Sequence, residues 1–271
     1  MPLSISFIGG GNMARSLIGG LIARGHVASS IVVADPAASQ LDLLKTTYGV
    51  HTAPTNAEAA QRGDVVILAV KPQELHNVAR DIANTVRDKL LISVAAGIRA
   101  SDIERWSGGA SVVRGMPNRP ALQGCGMTGL FAPAKVSAEH RKIAEDILGA
   151  VGATLWLTEE QQMDAVTAMS GSGPAYFFLL VEMMEDAGVT LGLPRDIARK
   201  LAVETAYGSG LMARQGPETP AMLREQVTSK GGTTEAALKH LETHNVRKLF
   251  QQAIAAACER SAQLAKELGK G

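Results

Sequence analysis

Three glycine-containing segments of this 271-residue sequence precede helical patterns, where exposed N–H groups suit the binding of anions. Gly9-Gly10-Gly11-Asn12-Met13-Ala14 fits the pattern G-x-G-x-x-A. There the first glycine permits a tight turn, the second lets a diphosphate approach the backbone, and the small last residue keeps a helix close to a sheet. The N-terminus of that helix then faces the phosphates with its free N–H groups. Asp35 ends the next apolar run, where a carboxylate either accepts hydrogen bonds from ribose hydroxyls or caps the following turn. Such a carboxylate repels a 2′-phosphate, and Pro36 to Leu44 contains no Arg or Lys, so the chemistry leans toward NADH. Val70-Lys71-Pro72 and Met116-Pro117-Asn118 follow two further apolar runs. Lys71 there either faces a cofactor or marks the exit to solvent.

The other two segments lie in the second half. Ser170-Gly171-Ser172-Gly173-Pro174-Ala175-Tyr176 opens a helix with small residues that allow a planar ring to come close. Ser229-Lys230-Gly231-Gly232-Thr233-Thr234 precedes another helix, where hydroxyls and N–H groups converge in a field that favours a carboxylate. Each is either an anion site or an ordinary helix-start turn.

Some chemistry is missing. The six histidines (26, 51, 76, 140, 240, 244) form no HExxH pattern. His240 and His244, one helical turn apart, make either a metal pair or a solvated face; no metal site is expected. There is no G-x-S-x-G elbow and no Walker loop. No lysine occurs between Ile143 and Arg199, so the second half opens without that proton donor, which weighs against ketone reduction, where an acid must protonate a developing alkoxide.

The elements that must hold these groups follow from periodicity. Leu3–Ile8, Ile31–Ala34, a short run near Val50, Val65–Val70, Leu90–Val94, Val112-Val113, Met127–Phe131 and Thr154–Leu157 read as strands. Helical patterns separate them, which predicts a parallel sheet with right-handed βαβ crossovers. Ser101-Asp102-Ile103-Glu104 and Thr158-Glu159-Glu160-Gln161 read as capping boxes. Beyond Leu157 helical periodicity runs almost unbroken to Leu268, interrupted at 171–174, 192–194, 216–220 and 229–234. The expected fold is therefore α/β: an N-terminal Rossmann-type doubly wound sheet over 1–159, then an all-helical domain over 160–271. The last helix, about Val246 to Leu268, packs on a second subunit or stands as a solvated tail.

Composition excludes several classes. With 27 basic against 26 acidic residues the net charge is +1, too small to hold a nucleic-acid backbone as a dedicated binder does. Hydrophobic residues at 46% mark a globular chain, and aromatics at 4% leave its core to aliphatic side chains. Two cysteines, Cys125 and Cys258, make neither a disulfide framework nor a zinc site. Apolar stretches such as Ala175 to Val181 are too short to span a bilayer. Residues 1–26 lack the early positive charge of an export signal, and three glycines interrupt them. A cytoplasmic protein without membrane or nucleic-acid partners is expected.

FIGGGNMA at Phe7–Ala14, AVKPQ at Ala69–Gln73, SVAAG at Ser93–Gly97, MPN at Met116–Asn118, SGSGPAY and TSKGGTTEAAL occur in one order along the whole chain. Together they resemble pyrroline-5-carboxylate reductase. The resemblance implies reduction of the C=N bond of 1-pyrroline-5-carboxylate by NADPH or NADH to give L-proline. It also implies a helical domain interlocked in a homodimer, often built into larger rings such as a decamer, and an active site between the cofactor cleft and the second-domain helices. Carried over by position, it implies Ile8, Gly9, Gly10, Gly11, Asn12, Met13, Asp35, Asn56, Val70, Lys71, Pro72 and Ala96 as cofactor contacts. Ser229, Gly232 and Thr233 would bind the substrate carboxylate, Thr234 would offer its hydroxyl to the ring nitrogen as the catalytic contact, and Glu160 and Gln226 are further substrate-side candidates. Lys230 and Arg119 depart from the family, where Pro and Thr are frequent.

Overall fold

A computed structural model describes residues 3–269. Eight strands alternate with helices: β1 (Ile5–Ile8), α1 (Asn12–Ala23), β2 (Ile31–Ala34), α2 (Ala38–Tyr48), β3 (His51–Thr52), α3 (Asn56–Arg62), β4 (Val65–Leu68), α4 (Pro72–Asp81), α5 (Ala83–Val86), β5 (Leu90–Ser93), α6 (Ala100–Trp106), β6 (Ser111–Met116), β7 (Gly126–Phe131), α7 (Ala138–Leu148) and β8 (Gly152–Trp156). They form one sheet in the order 3-2-1-4-5-6-7-8. The strand order reverses direction beside β1, which makes the carboxyl ends of β1 and β4 the crevice where such sheets bind ligands.

β1, β2, β4 and β5 are buried at every position, as a sheet covered on both faces requires. Ile5, Phe7, Val33 and Ile67 pack with Leu17, Leu44 and Leu148 on one face. Ile8, Val32, Val66 and Leu68 pack with Leu75, Ala79 and Ile103 on the other. Each layer buries aliphatic groups worth about 1.5–3 kcal/mol apiece, so a core with few aromatics is sufficient.

The expectation of a wholly parallel sheet needs correction: β6 and β7 pair antiparallel, with Gly115 opposite Leu130. Pro117 to Cys125, a stretch containing a 3-10 turn at Arg119–Gln123, joins them. That connection is shorter than the dozen or more residues a parallel crossover needs, so the chain can only reverse. β8 then returns parallel to β7 across α7.

Beyond β8 come α8 (Gln162–Val166), a π-helical turn (Thr167–Gly171), α9 (Gly173–Thr190), α10 (Arg195–Gln215), α11 (Pro220–Gln226), α12 (Thr233–Thr243) and α13 (Val246–Leu268). The chain forms two compact units, one of Met1–Ser172 with Ala257–Gly271 and one of Gly173–Ala256. The change from mixed to purely helical sequence near residue 160 thus precedes the packing boundary, because α8 lies against β7. The end of α13 belongs to the sheet-bearing unit, where it buries Ser261 and Ala265.

Two capping readings also shift. α6 begins at Ala100, so Ser101 lies inside it and makes no side-chain cap. At α8 the box is displaced by one residue: Gln162 Oε1 accepts from Thr158 and Glu159 N–H, each at 3.2 Å.

In the second unit α9 and α10 pack along each other, and Gly188 allows their close approach: a Cβ there would lie 2.9 Å from that of Ala198. Glu185 ties the pair together by accepting from Arg195 at 2.8 Å and Arg199 at 2.9 Å. Within the single chain Phe177, Phe178, Leu179, Met183, Leu201 and Tyr207 remain exposed, Phe177 at 68%. An apolar surface of this extent on two long helices marks a protein–protein interface. No helix among the described residues is long and apolar enough to cross a membrane.

Candidate active site

The glycine loop between β1 and α1 is built by its backbone. Gly9 sits at φ +97° and donates to the Ala34 carbonyl at 2.8 Å. A Cβ there would fall 2.7 Å from the Ala69 carbonyl oxygen, so the position excludes every side chain twice over. Asp35 braces the loop with both oxygens, accepting from Gly10 N–H at 2.7 Å and Ala37 N–H at 2.8 Å. Asp35 therefore does cap its own turn, while the second lone pair on each oxygen still suits a hydroxyl donor.

Gly11 faces open space: nothing lies within 4 Å of where its Cβ would be. It is the N-cap of α1, whose first turn has neither a side-chain cap nor an acidic residue. The first N–H groups of α1 thus point outward into a positive helix field, and Ala14 is buried against the sheet. A dinucleotide's diphosphate fits this cradle, since the turn, the free N–H groups and the small buried Ala14 are present and no described residue stands over Gly11.

The remaining cofactor candidates lie along the same edge of the sheet. Ile8, Leu68, Ser93 and Arg114 are in register across β1, β4, β5 and β6, so the segments that follow these strands stand side by side. Asp35 follows β2, Asn56 begins α3, and Val70 leads to Lys71, the N-cap of α4, with Pro72 in the first turn. Lys71 is exposed, and Ala96 is half-buried in the segment after β5. Asn56 Nδ2 donates to Asp81 at 3.2 Å, which leaves its carbonyl oxygen for a ligand. One strand edge therefore gathers Ile8 through Met13, Asp35, Asn56, Val70, Lys71, Pro72 and Ala96.

The second anion segment lies in the helical unit. Gly231 at φ +74° turns the chain into α12, and Gly232 is its N-cap without a side-chain cap. Gly232 N–H returns to the Ser229 carbonyl at 3.0 Å. Among the described residues, the N–H groups of Thr233 and Thr234 and the hydroxyls of Ser229, Thr233 and Thr234 have no protein partner. Neighbouring threonines behave otherwise: Thr228 and Thr243 donate to carbonyls four residues back, at 2.6 and 2.7 Å. Beside this turn runs a cleft of about 650 Å³ lined by Arg224, Thr228, Gly231, Gly232 and Lys239. Gln226 is exposed at the end of α11. Sequence reasoning missed Glu235, which reaches back to accept from Gly231 N–H at 2.6 Å and holds the turn. Its position three residues after the N-cap was the available signal.

Glu160 is the remaining substrate-side candidate. It lies in the sheet-bearing unit, where Oε1 accepts from Arg114 Nη1 and from Ala100 N–H, both at 2.7 Å. Burial pushes the Arg114 guanidinium below its ordinary value, and the Glu160 carboxylate opposes that shift. Arg114 was the other miss; a charge within the apolar run Ser111–Met116 already required a buried partner.

The SGSGPAY segment does not break the helix cleanly but widens it into the π turn, with Ser172 N–H donating to the Thr167 carbonyl at 2.8 Å. Asn118 fixes that turn: its amide donates to Ser170 Oγ at 3.1 Å, and its oxygen accepts from Met127 N–H at 2.9 Å. Single π turns of this kind recur at functional sites.

Comparison with known proteins gives these features relatives. Residues 160–264 match the family described as pyrroline-5-carboxylate reductase dimerisation, and residues 4–97 match NADP oxidoreductase coenzyme F420-dependent. The pyrroline-5-carboxylate reductase of Pseudomonas aeruginosa is 48% identical over 98% of both chains. That of Haemophilus influenzae is 43% identical over 96% of this chain and 97% of its own. Among solved structures, a pyrroline-5-carboxylate reductase from Coxiella burnetii superposes with a TM-score of 0.93 at 41% identity, covering 98% of this chain and 99% of that one. The Plasmodium falciparum pyrroline carboxylate reductase, solved with NADP bound, gives 0.86 at 29% identity over 97% and 98%.

Proposed function

The chain belongs to the family of pyrroline-5-carboxylate reductases, and from that premise we propose which of its groups carry the reaction. When bound, NAD(P)H supplies the hydride that adds to C5 of 1-pyrroline-5-carboxylate, giving L-proline in the last step of its biosynthesis. Ile8 to Met13 hold the diphosphate through the free N–H groups of α1, and Asp35 accepts from the adenosine ribose. Asn56, Val70, Lys71, Pro72 and Ala96 line the rest of the cofactor. Because Asp35 disfavours a 2′-phosphate, NADH is the better partner of this chain.

Ser229, Gly232 and Thr233 bind the substrate carboxylate at the start of α12, and Gln226 borders it. The Thr234 hydroxyl orients the ring nitrogen. No strong acid is needed in the step: a protonated cyclic imine is already electrophilic, and hydride addition neutralises its nitrogen. The protein contributes placement and exclusion of water, which is worth up to about 7–11 kcal/mol when the reacting atoms are held in line.

The observation that carries this reading is the set of uncommitted hydroxyl and N–H donors of Ser229, Thr233 and Thr234 at one helix start. The test is oxidation of NAD(P)H by the purified protein, followed by nicotinamide absorbance, with pyrroline-5-carboxylate against other imines and keto acids. Turnover confined to the cyclic imino acid supports the assignment; cofactor binding without turnover identifies a sensor instead. The exposed faces of α9 and α10 support a homodimer as the smallest assembly, with a decamer of five such dimers as the larger form, which light scattering distinguishes. The two free cysteines, Cys125 and Cys258, support a reducing compartment such as the cytoplasm.

A further inference from the structure

The segment 94–99 presents Ala96 at the cofactor edge; Val94 N–H on the Leu68 carbonyl and the buried Ala95 and Ile98 seat it on the sheet, while its junction with the following helix depends on a distant group. α6, which follows, starts at Ala100 with Arg99 as N-cap and no side-chain cap. Its first N–H is instead met from sixty residues away, by Glu160. The same oxygen accepts from Arg114, which is 6% exposed and stands in register with Ser93, the last residue before the segment. A single carboxylate oxygen thus joins the strand on one side of the segment to the helix that closes it.

The far side of the segment is fixed as well. Gly97 takes φ +70° and lies against α13: a Cβ there would be 3.4 Å from the Leu264 Cβ. α13 is anchored by Ser261 Oγ, buried, donating to Asp164 at 2.7 Å, and Asp164 is among the carboxylates that act on Arg114. The segment therefore sits between a helix and a charged cluster, with its geometry set by residues that lie elsewhere in sequence.

We propose that Glu160 is a positioning residue for the nicotinamide cofactor, acting through Arg114 and the Ala100 N–H to hold segment 94–99 and with it Ala96. This rests on the reading of Ala96 as a cofactor contact. It gives Glu160 a role different from contact with the substrate, and it predicts that cofactor affinity, not substrate affinity, depends on this carboxylate.

The experiment compares Glu160→Ala and Glu160→Gln with the unaltered enzyme. NAD(P)H affinity is titrated by nicotinamide fluorescence without substrate, KM is measured for each reactant, and the unfolding midpoint is recorded. Glu160→Ala should weaken cofactor binding by about tenfold and leave the KM of the imine within a factor of about two, well below the worth of one lost hydrogen bond. Glu160→Gln keeps a carbonyl acceptor for both donors and should restore most of the affinity. An unchanged cofactor affinity in folded Glu160→Ala overturns the proposal, and so does a rise confined to the KM of the imine. If Glu160→Ala does not fold, Glu160→Asp, one methylene too short to meet both donors, decides by the same two readouts. Because the titration needs no substrate, failure to reduce pyrroline-5-carboxylate would sink the assigned reaction and leave this test intact.

Discussion

The two anion cradles of this chain are built on opposite plans. At Gly9–Gly11 the loop is tied to the sheet: Gly9 N–H donates to Ala34, Gly10 N–H to Asp35, Ala69 crowds Gly9, and buried aliphatic layers lie on both faces of the sheet beneath. The first N–H groups of α1, beside Gly11, are left free for a diphosphate. At Ser229–Thr234 the turn is held by Glu235 and one backbone hydrogen bond, while three hydroxyls and two N–H groups have no partner among the described residues. α11 and α12, on either side of it, bury no residue within the single chain. The first cradle is rigid because it is the end of a sheet. The second sits on helices whose apolar faces are unfilled, as expected of a domain that completes itself by dimerising.

The contrast yields four tests. Rigidity of the first region predicts the largest effect. Arg114→Ala strands Glu160 and opens the row of residues that ends the central strands, and should lower unfolding free energy by about 3–5 kcal/mol in denaturant titration. A loss below about 1 kcal/mol would mean the pair behaves as a surface bridge and the region is softer than described. Gly9→Ala comes next. A left-handed backbone and a clash with the Ala69 carbonyl should reduce NAD(P)H affinity about a hundredfold, as backbone strain of about 1–3 kcal/mol moves the loop; unimpaired binding would break the account of this turn.

In the second region a side chain can be removed without disturbing the fold. Thr234→Ala should keep the unfolding midpoint and lower kcat/KM by about one to two decades, the worth of a hydrogen bond to a charged group. Wild-type kinetics in that variant would remove Thr234 from the mechanism. The smallest effect is expected where the two roles of Asp35 meet. Asp35→Ser retains one acceptor for the loop but loses the charge, and should move the ratio of kcat/KM for NADPH over NADH upward by about tenfold, or about 1.4 kcal/mol. A ratio that stays fixed while both values fall would leave Asp35 as a brace alone.

Much of the first region was legible in the sequence because its signals are local. The glycine fingerprint, the acidic residue after the second strand, and Pro72 at the start of α4 each depend on the backbone of a few neighbours. Ile31–Ala34 and Val246–Leu268 match their elements residue for residue. The errors differ in cause. The reversal at β7 turns on connection length and the start of α6 on the Glu160 carboxylate sixty residues away, whereas the cap at α8 shifts by one residue to a neighbouring amide, Gln162.

The order of elements, the cofactor loop and the hydroxyl-rich start of α12 follow from short stretches of chain, since helix and strand periods and glycine conformations are local properties. The partners of Glu160 follow from packing instead. Its sequence neighbours make it a helix-cap candidate, whereas its hydrogen bonds join β6 to α6 across a buried guanidinium. A carboxylate's partner is chosen by whatever unsatisfied donor the packed chain brings near it, and in a low-dielectric interior that choice is too costly to leave unmade.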